Sequence, residues 1–587
     1  MILSLRTVIV ATRRLGLVLD GQSVEHASVA DNRYIELRNR VLSRVVSSAE
    51  TAGRFQWEPG PHFNWVLDYF DVIAVGNESA ALRVVDDAGN DEALSFSTLA
   101  RRSNQVASYL SAHGLKCGDR VLVMLGNVIP LWETMLALMR MGAVMIPTTT
   151  LLQRDELQDR LARGGVKMVI ADHRCADRFE DLAPWATRIC VGGKVRDWQS
   201  YEDSSTSAAT FTPAADTPAD ALLLLYFTSG TTAKPKLVAH THTSYPVGHL
   251  STAHWIGLRS GDVHLNLSSP GWAKHAWSCF FAPWIAEATV LAYQYERFNA
   301  TALLDQLVRC RVTTLCAPPT VWRMLIQQNL KRWPVSLREI VGAGEPLNPE
   351  IISRVEDAWG LTIRDGFGQT ETTAQIGNPP ATPVKPGSMG RPLPGYEIVL
   401  LGADGSIGDE GEICLPLTPR PVGLMRGYLD EPEKTREVLR DGFYHTGDIA
   451  SRDGEGYLTY IGRADDVFKS SDYRISPFEL ESVLIEHPSV AEAAVVPSPD
   501  SMRLSVPKAF IALASNASAN AATAKSILDF VNTRVSPFKR IRRLEFSDLP
   551  KTISGKIRRA ELRQSEAARS DLTVRRDREY WEEDFAR

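Results

Sequence analysis

From about Phe63 onward, short apolar runs alternate with longer segments of helical periodicity. The runs RVLVML at 120–125, VKMVIA at 166–171 and TTLCAPP at 313–319 are rich in β-branched and aliphatic residues, which is typical of buried strands. The segment LWETMLALMRMGAVMIP at 131–147 is apolar on all sides, which predicts a helix enclosed between layers. Strands that alternate with helices predict parallel sheets wrapped by helices, an α/β fold.

The pattern changes near residue 464. A turn-rich passage, GDIASRDGEGYLTYIGRADD at 447–466, precedes ISPFELESVLIEHPSVAEAAVV at 475–496, which predicts a helix, a turn and a strand. We therefore predict an N-terminal extension at 1–60, a large α/β domain at 61–464, a small mobile α+β domain at 465–565, and a charged helical tail at 566–587.

Composition excludes several classes of protein. The formal net charge is -5, which gives no support for a nucleic-acid surface. The seven cysteines form no C-x-x-C pair, which favours a reducing compartment such as the cytoplasm and argues against structural zinc. No apolar run approaches the roughly 18 residues of a membrane span. The first nineteen residues carry three arginines and no acid, so a mitochondrial transit peptide is the alternative to a cytoplasmic location.

The stretch FTSGTTAKPK at 227–236 follows the apolar run ALLLLYF. Its one glycine does not fit the G-x-x-x-x-G-K-[ST] nucleotide loop. Hydroxyl groups and the N–H groups of a glycine-containing turn can nevertheless surround phosphate oxygens. We predict a phosphate-binding loop formed by Thr228, Ser229, Gly230, Thr231, Thr232, Ala233, Lys234, Pro235 and Lys236. A polar β-turn after a buried strand is the alternative that the loop alone leaves open.

Later segments add complementary chemistry. Phe367 in DGFGQTETT offers a stacking surface, and Glu371 offers a hard oxygen ligand for Mg²⁺. Asp448 in YHTGD is suited to accept two hydrogen bonds from a ribose diol. Arg463 in GRADD and Lys556 in LPKTISGKIRR add positive charge. Each motif alone has an ordinary explanation as a turn, a helix cap or a surface salt bridge, but their joint occurrence in this order indicates one nucleotide site.

In these motifs the chain resembles the adenylate-forming superfamily of acyl-CoA synthetases, nonribosomal-peptide adenylation domains and luciferases. The resemblance covers roughly residues 63–563 and is carried by the phosphate loop, GFGQTE, TGD, GRADD and PKTISGK. It implies that residues 228–236 hold the ATP phosphates. It further implies that the adenine is held by Gly344, Glu345, Asp365, Gly366, Phe367, Gly368, Gln369 and Thr370.

The same resemblance implies roles for the charged residues. Glu371 would bind Mg²⁺ and take part in catalysis, and Asp448 would bind the ribose. Arg463 would lie at the ribose and phosphate side, Lys556 would reach the α-phosphate and carboxylate, and Asp465 would be the hinge of the small domain. Ala233 replaces a glycine common in the family, so we expect a turn position that does not need a positive φ.

The implied reaction has two steps. A carboxylate is a poor acyl donor, so ATP converts it to acyl-AMP with release of pyrophosphate, and the thiol of CoA then displaces AMP. Mg²⁺ and a lysine are needed where anions approach one another. Once acyl-AMP has formed the lysine is no longer needed, so a domain rotation can remove it and present a second face for the thiol.

The acyl pocket is predicted from a comparison with acetate-activating relatives, which carry tryptophan just before QTE. Gly368 stands there in this chain, which favours an acid larger than acetate, as in the medium-chain group, and a medium-chain, branched or aromatic acid is predicted. We also assign Trp272, Trp277 and Gly342 to the pocket. Trp277, Phe281 and Trp284 share one helical face and either line the acyl tunnel or belong to the core.

The acceptor is predicted from FKSSDYRISP, where medium-chain relatives commonly have SSGYRIGP. Asp472 and Ser476 replace the two glycines. We retain CoA as the acceptor, with contacts from Ser471, Asp472, Tyr473, Arg474 and Arg503. The alternatives are transfer of the acyl group to a carrier-protein thiol, and a catalytically silent nucleotide-binding protein. Whether the chain forms a homodimer is left open.

Overall fold

The computed structural model describes residues 32–43, 55, 57–58, 60–228, 235–344, 347, 349–470, 473–500, 503–515, 517–551, 557–569 and 574–585. The fold is α/β, as predicted: two large sheets are wrapped by helices, and a smaller α+β unit follows. No helix in these described residues is long and apolar enough to cross a membrane. The seven cysteines are free thiols.

The first large sheet carries most of the site residues. In spatial order its strands are Ile407–Gly408, Val399–Leu401, Glu410–Pro416, Phe443–Arg452, Leu458–Arg463, Ser388–Pro392, Ala374–Gly377, Arg364–Gly368, Glu339–Ala343, Thr314–Ala317, Val263–Asn266, Thr289–Gln294, Ala80–Asp86 and Asp91–Ser95, and Leu439–Arg440 pairs with Phe443–Arg452. The central strands run parallel. Thr314–Ala317 is buried along its whole length, as expected for a strand covered on both faces.

Two neighbouring strands of the second large sheet flank the predicted phosphate loop. Its strands, in spatial order, are Gly427–Tyr428, Lys236–Thr241, Leu222–Thr228, Val144–Pro147, Arg120–Met124, Met168–Asp172, Thr187–Val191 and Gln199–Ser200. The segment predicted as one enclosed helix is a buried helix, Ile129–Arg140, followed by the strand Val144–Pro147. Gly142 lies between them at a φ of 67°, a conformation that ends a helix and favours glycine.

The smaller unit contains a hairpin, Phe468–Ser470 with Tyr473–Ile475, and a four-stranded sheet. The strands of that sheet, in spatial order, are Val490–Asp500, Leu504–Leu513, Arg543–Phe546 and Glu579–Trp581. The helices Pro477–Ile485 and Ala521–Asn532 contribute Leu480, Leu484 and Ile527 to its core. The domain boundary at 464 stays a prediction. In chain order, the final strand of the first sheet is Leu458–Arg463.

The helices of the described residues complete the architecture. The α-helices are Asn32–Leu42, Asp71–Ala74, Phe96–Ala112, Ile129–Arg140, Arg154–Gly164, Ser244–Ile256, Ala273–Ala276, Ala282–Ile285, Ala300–Arg309, Pro319–Leu325, Pro349–Trp359, Pro432–Val438, Pro477–Ile485, Ala521–Asn532 and Arg559–Ala567. Two π-helical turns occur at Val66–Phe70 and Trp277–Phe281.

The predicted N-terminal extension is in part a component of the large core. In the helix Asn32–Leu42, Tyr34 and Leu37 are buried in the same hydrophobic cluster as the helix Ser244–Ile256. The Tyr34 hydroxyl donates to the carbonyl of Pro246 at 3.2 Å, and Arg38 Nε donates to the carbonyl of Ile285 at 2.7 Å. The apolar face of this helix therefore needs the large domain to be buried. The arginine-containing segment 1–19 lies outside the described residues.

The described part of the predicted helical tail contains a strand between two helical pieces: the helix Arg559–Ala567 ends in it, and Glu582–Phe585 is a 3₁₀-helical turn. Glu579–Trp581 is a strand that pairs antiparallel with Arg543–Phe546. The Lys508 ammonium, 0% exposed, contacts Glu545 at 2.6 Å, Glu566 at 2.8 Å and Glu579 at 3.0 Å. A buried charge needs close partners, and the strand conformation delivers the Glu579 carboxylate to this cation. This tertiary ion cluster overrides the local helical pattern.

Candidate active site

The phosphate loop is closed by an antiparallel hairpin. The strands Leu222–Thr228 and Lys236–Thr241 pair so that Thr228 lies opposite Lys236. The intervening Ser229, Gly230, Thr231, Thr232, Ala233 and Lys234 lie outside the described residues, so the expectation for the backbone of Ala233 stays a prediction. Pro235 and Lys236 are described, and Lys236 is the first residue of the strand Lys236–Thr241.

The carboxylate of Glu371 lies beside the exit of this loop. Tyr428 Oη donates to Glu371 Oε1 at 2.9 Å. The Lys236 ammonium lies 4.7 Å from the centre of the Tyr428 ring and 3.5 Å from its hydroxyl oxygen. The predicted phosphate-binding lysine and the predicted metal ligand are therefore brought together by one tyrosine.

The surroundings of Glu371 fit a hard cation. Tyr428 holds one carboxylate oxygen, and within the described part of the chain no hydrogen bond reaches the second one. A half-buried carboxylate with one oxygen available, next to a phosphate-binding loop, is a suitable ligand for Mg²⁺, which combines one or two carboxylates with substrate phosphates. Glu371 would hold the ion, and the ion would neutralise charge on the phosphates.

Asp448 lies at the centre of a second hydrogen-bond cluster. Its carboxylate accepts from the amide of Gln369 at 2.5 Å, from Tyr460 Oη at 3.0 Å and from Arg463 Nη1 at 3.2 Å. Burial raises the pKa of Asp448, and the donors from Arg463, Tyr460 and Gln369 oppose that rise. The cluster holds a carboxylate with several donors already aimed at it, and such a group is pre-organised to accept further hydrogen bonds.

The turn that carries Asp448 is fixed from the neighbouring strand. Glu412 Oε1 accepts the backbone N–H of Gly447 at 2.8 Å, and Glu412 Oε2 contacts His445 Nδ1 at 2.8 Å. Gly447 has a φ of 72°. A Cβ at this position would lie 2.8 Å from the Arg463 guanidinium, so both conformation and space favour glycine.

Arg463 connects the Asp448 cluster to the predicted hinge. Its Nη1 contacts Asp448, and its Nε lies 3.6 Å from the Asp465 carboxylate. Asp465 is exposed, whereas its neighbour Asp466 makes an ion pair with Arg563 of the small unit. The two successive aspartates thus pair with different arginines, Asp465 with Arg463 and Asp466 with Arg563.

The predicted adenine segment lies at the ends of two neighbouring parallel strands. Glu339–Ala343 pairs with Arg364–Gly368, placing Gly342 opposite Asp365. Gly344 follows with a φ of 103°, a backbone conformation that favours glycine. Burial raises the pKa of Asp365 to about 7, and the carboxylate accepts the Gly366 N–H at 2.8 Å. Glu345 lies outside the described residues.

Gly366 and Gly377 allow an indole to pack directly on the backbone here. A Cβ on Gly366 would lie 2.4 Å from the ring of Trp255, and one on Gly377 would lie 2.5 Å from it. Trp255 Nε1 donates to the Asp365 carbonyl at 3.1 Å. Phe367 faces the Tyr460 ring with centroids 6.4 Å apart, so a predicted stacking residue already lies beside the Asp448 cluster.

Trp277 lies against Gly368, where the sequence predicts the acyl pocket. A Cβ on Gly368 would lie 2.5 Å from Trp277 Cη2 and 2.3 Å from the carbonyl oxygen of Thr373. The inference that Gly368 leaves open space is therefore corrected, because the Trp277 indole already fills it. Trp277 Nε1 donates to Tyr245 Oη at 2.8 Å, which fixes the ring.

The three aromatic residues predicted to share a helical face are all buried in one hydrophobic cluster but have different neighbours in it. Trp277 and Phe281 both contact the His249 ring. Trp284 packs against Phe70 with centroids 4.9 Å apart and belongs to the core. The π-helical turn Trp277–Phe281 inserts a residue into the helix, which breaks the regular spacing on which the prediction relied.

Two further pocket assignments differ in their surroundings. Trp272 is half-buried and stands just before the short helix Ala273–Ala276. Gly342 is buried, and a Cβ there would make ordinary contacts of 3.6 Å with Ile363 and Leu347. Gly342 therefore belongs to the packing beneath the adenine segment, and Trp272 lies on the partly open side.

The residues predicted to contact CoA are only partly described. Ser471 and Asp472 lie outside the described residues, as does the side chain of Arg474. Tyr473 is 52% exposed and stacks on Phe538 with centroids 4.3 Å apart. Arg503 is exposed. Lys556 lies outside the described residues, and its loop is closed by an antiparallel bridge between Lys551 and Ile557.

Sequence reasoning missed the tyrosines that hold these groups. Tyr428 holds Glu371, Tyr460 holds Asp448, and Tyr444 Oη donates to Gln369 Oε1 at 2.7 Å. His240 was also missed: its Nε2 lies 2.7 Å from the Thr370 carbonyl. Burial lowers the pKa of His240 to about 4, so its ring is neutral at pH 7. Tyr428 and Tyr444 lie within the short motifs RGY and FYHTGD. For these two tyrosines, the motifs were the sequence signal that could have indicated a role in the site.

The fold and the site define an enzyme that uses ATP to adenylate its substrate. The chain belongs to the AMP-binding enzyme family: the family profile matches residues 73–429, and the profile of the AMP-binding enzyme C-terminal domain matches residues 479–556. It is an AMP-forming acid–thiol ligase of the acyl-CoA synthetase class, which converts a carboxylic acid to acyl-AMP and transfers the acyl group to CoA.

Three similar proteins illustrate the relationship. The 4-hydroxybutyrate–CoA ligase 1 of Metallosphaera sedula is 45% identical over 517 residues, which are 86% of this chain and 91% of the relative. The mitochondrial acyl-coenzyme A synthetase ACSM3 of Mus musculus is 39% identical over 534 residues, 87% of this chain and 92% of the relative. A crystal structure of the anthranilate CoA ligase AuaEII with anthranoyl-AMP is 27% identical, with a TM-score of 0.79, and covers 87% of this chain and 98% of its own.

Proposed function

We propose that the enzyme activates a compact carboxylic acid, either branched, aromatic or short, in preference to a long straight chain. The contact between Trp277 and Gly368 carries this proposal. The acyl group would end against an indole that is fixed by Tyr245 and backed by the buried ring of His249. A close-packed wall of this kind rejects additional methylene groups.

The relatives support a compact acid. One is a 4-hydroxybutyrate–CoA ligase and another is an anthranilate CoA ligase, and both names refer to small acids with a polar substituent. Straight medium-chain acids, which the resemblance of FGQTE to the medium-chain group predicted, are the alternative substrates.

In the first step, the substrate carboxylate attacks the α-phosphorus of ATP, and the bond from that phosphorus to the bridging oxygen breaks as pyrophosphate leaves. Residues 228–236 would hold the phosphates, and Lys556 would neutralise charge as the anions meet. Asp448 would orient the ribose, since Gln369, Tyr460 and Arg463 already hold its carboxylate in place. Mg²⁺ held by Glu371 would supply further charge neutralisation.

In the second step, the thiolate of the acceptor attacks the acyl carbon, and AMP leaves with the electron pair of the broken C–O bond. The small unit would rotate about Asp465 between the steps and carry Lys556 away. The contact between Arg463 and Asp465 supports this hinge, because it joins the ribose-binding cluster to the connecting segment.

The contacts of CoA are also a proposal. Tyr473 and Arg503 are exposed and can meet an adenine ring or a phosphate; Ser471, Asp472 and Arg474 complete the predicted set. A carrier protein is the alternative acceptor. A cytoplasmic location and a homodimer stay predictions that the described residues do not bear on.

The decisive experiment is a panel of carboxylic acids assayed for pyrophosphate exchange and, separately, for AMP release with CoA. We expect exchange with compact acids, followed by CoA-dependent release of AMP. Exchange without consumption of CoA would redirect the proposal to a carrier-protein acceptor. If none of the acids supported pyrophosphate exchange, the result would instead favour a catalytically silent nucleotide-binding protein.

A further inference from the structure

We infer that Tyr428 is a positioning residue for the metal-binding carboxylate: it contacts both Glu371 and Lys236 and holds one carboxylate oxygen, so that Glu371 stays available to Mg²⁺. The inference rests on the proposed function, in which Glu371 binds the metal and Lys236 the ATP phosphates. Tyr428 is outside the residues to which sequence reasoning gave a role.

The position of Tyr428 is fixed by backbone pairing on one side. The strand Gly427–Tyr428 pairs antiparallel with Lys236–Thr241, so that Tyr428 lies opposite Val238. The N–H of Leu429 donates to the carbonyl of Leu237 at 2.8 Å. The tyrosine is thus anchored to the same strand that carries Lys236.

The other side is anchored to the metal-binding segment. The N–H of Met425 donates to the Glu371 carbonyl at 2.7 Å, and the Tyr428 hydroxyl donates to Glu371 Oε1 at 2.9 Å. Tyr428 is 5% exposed. Backbone and side chain of Glu371 are therefore both held by residues 425–428, which cross between the two large sheets.

The tyrosine contacts the cation and the anion together: its hydroxyl oxygen lies 2.9 Å from Glu371 Oε1 and 3.5 Å from the Lys236 ammonium. The ring face, which carries the negative part of the aromatic quadrupole, lies 4.7 Å from the Lys236 ammonium and attracts it. The hydroxyl donates to the carboxylate. Lys236 and Glu371 are both described, and they form no ion pair with each other. A direct ion pair would let the lysine compete with Mg²⁺ for the carboxylate.

The hydroxyl has a single O–H to donate. It can therefore hold only one oxygen of the Glu371 carboxylate, and the second oxygen is left to the metal. Such outer-sphere partners of metal ligands commonly contribute about 10–100-fold to metal affinity.

Tyr428→Phe removes the hydroxyl, with its hydrogen bond to Glu371 and its 3.5 Å contact with Lys236, and retains the ring that faces Lys236. ATP binding is measured by titration calorimetry in EDTA and over a series of Mg²⁺ concentrations, and Mn²⁺ binding to the ATP complex by electron paramagnetic resonance. We expect the metal affinity of the variant to be at least about tenfold weaker than that of the wild type. ATP binding in EDTA should be unchanged. Tyr428→Leu, which also removes the ring, should weaken metal binding further.

Tyr69→Phe is the matched control. Tyr69 is also a fully buried tyrosine whose hydroxyl donates to a carbonyl, that of Ile285 at 2.7 Å, but it belongs to the aromatic core around the N-terminal helix. Metal dependence should be unchanged in this variant. Any shared loss of thermal stability measures the general effect of deleting a buried hydroxyl.

A double-mutant comparison excludes an indirect effect of altered packing. In a Glu371→Gln background, Tyr428→Phe should cause no further change in metal dependence. Wild-type metal affinity in Tyr428→Phe, or equal loss in both backgrounds, would overturn the role of Tyr428 while leaving the proposed function intact. If wild-type protein bound ATP equally with and without Mg²⁺, the metal role of Glu371 would itself be wrong.

Discussion

The indole of Trp277 lies where a side chain on Gly368 would begin, with Cη2 2.5 Å from the ideal Cβ position. The two residues come from a helix and a strand that are distant in the chain. In the proposed function these two residues would decide how far an acyl group can extend, because a side chain at position 368 would occupy the volume that the Trp277 indole already fills.

Trp277→Ala should shift substrate preference toward longer acids. Removal of the indole opens the wall, and each additional methylene accommodated is worth about 1–3 kcal/mol of transition-state binding. The ratio of kcat/KM for an eight-carbon to a four-carbon straight acid should rise at least tenfold. Trp284→Phe, a core substitution away from Gly368, is the control; a similar shift there would contradict the assignment of Trp277.

Gly368→Trp should destabilise the enzyme and give no clean change in specificity. The resemblance to acetate-activating relatives alone predicts a shift toward acetate. The structure predicts instead a collision with Trp277 and with the Thr373 carbonyl, and overpacking of this kind costs about 1–3 kcal/mol or more. Thermal unfolding measures the effect. The combination with Trp277→Ala should recover part of the stability, and a fully stable single variant would argue against the observed packing.

Lys556→Ala should abolish adenylation and leave the reaction of preformed acyl-AMP with CoA largely intact. The lysine is needed only while the carboxylate and the α-phosphate approach each other. The two half-reactions are measured separately, by pyrophosphate exchange and by thioester formation from synthetic acyl-AMP. Equal loss of both would mean that the lysine has a structural role.

Asp448→Asn should raise the KM for ATP with a smaller effect on the KM for the acid. The carboxylate accepts hydrogen bonds from Gln369 and Arg463, and an amide cannot accept all of them together with those of a ribose. Loss of a charge-assisted hydrogen bond is worth about 1.5–3 kcal/mol, or roughly tenfold to a hundredfold in KM. Steady-state kinetics with 2′-deoxy-ATP should show a smaller difference between variant and wild type.

Asp365→Asn should flatten the dependence of stability on pH. Burial raises the pKa of Asp365 to about 7, above the roughly 3.9 of an unfolded aspartate. Between these values the native state binds the proton that the unfolded state has released, so stability falls as pH rises through this window. The difference in unfolding free energy between variant and wild type, measured from pH 4.5 to 8, should increase with pH. A constant difference would mean that Asp365 is ionised throughout.

The sequence predicted the architecture and the order of the site motifs because these follow from local patterns. The strands around Leu122, Val169 and Leu315 have continuous apolar runs, and Asp448 and Glu371 lie in short motifs with few alternative explanations. Tyr428 could not be found in this way, because its role depends on a contact between distant parts of the chain. The strand Gly427–Tyr428 pairs with a strand nearly two hundred residues earlier.

Two errors had a common physical origin. The spacing of Trp277, Phe281 and Trp284 assumed a regular α-helix, but a π-helical turn occurs there. The segment around Glu579 had a helical pattern, but the buried ammonium of Lys508 attracts its carboxylate into a sheet. In both cases tertiary contacts, which are invisible in a local window, overrode intrinsic preference.

The Lys508 cluster also constrains when the small unit can reach its final structure during synthesis. Lys508 is translated well before Glu579, and domains generally fold as they emerge from the ribosome. Until the strand Glu579–Trp581 emerges, the cation at Lys508 lacks one of its three carboxylates and the edge of Arg543–Phe546 is unpaired. Completion of the small unit is therefore delayed until this late segment is free, by which time the large domain, with its nucleotide site, has long left the exit tunnel.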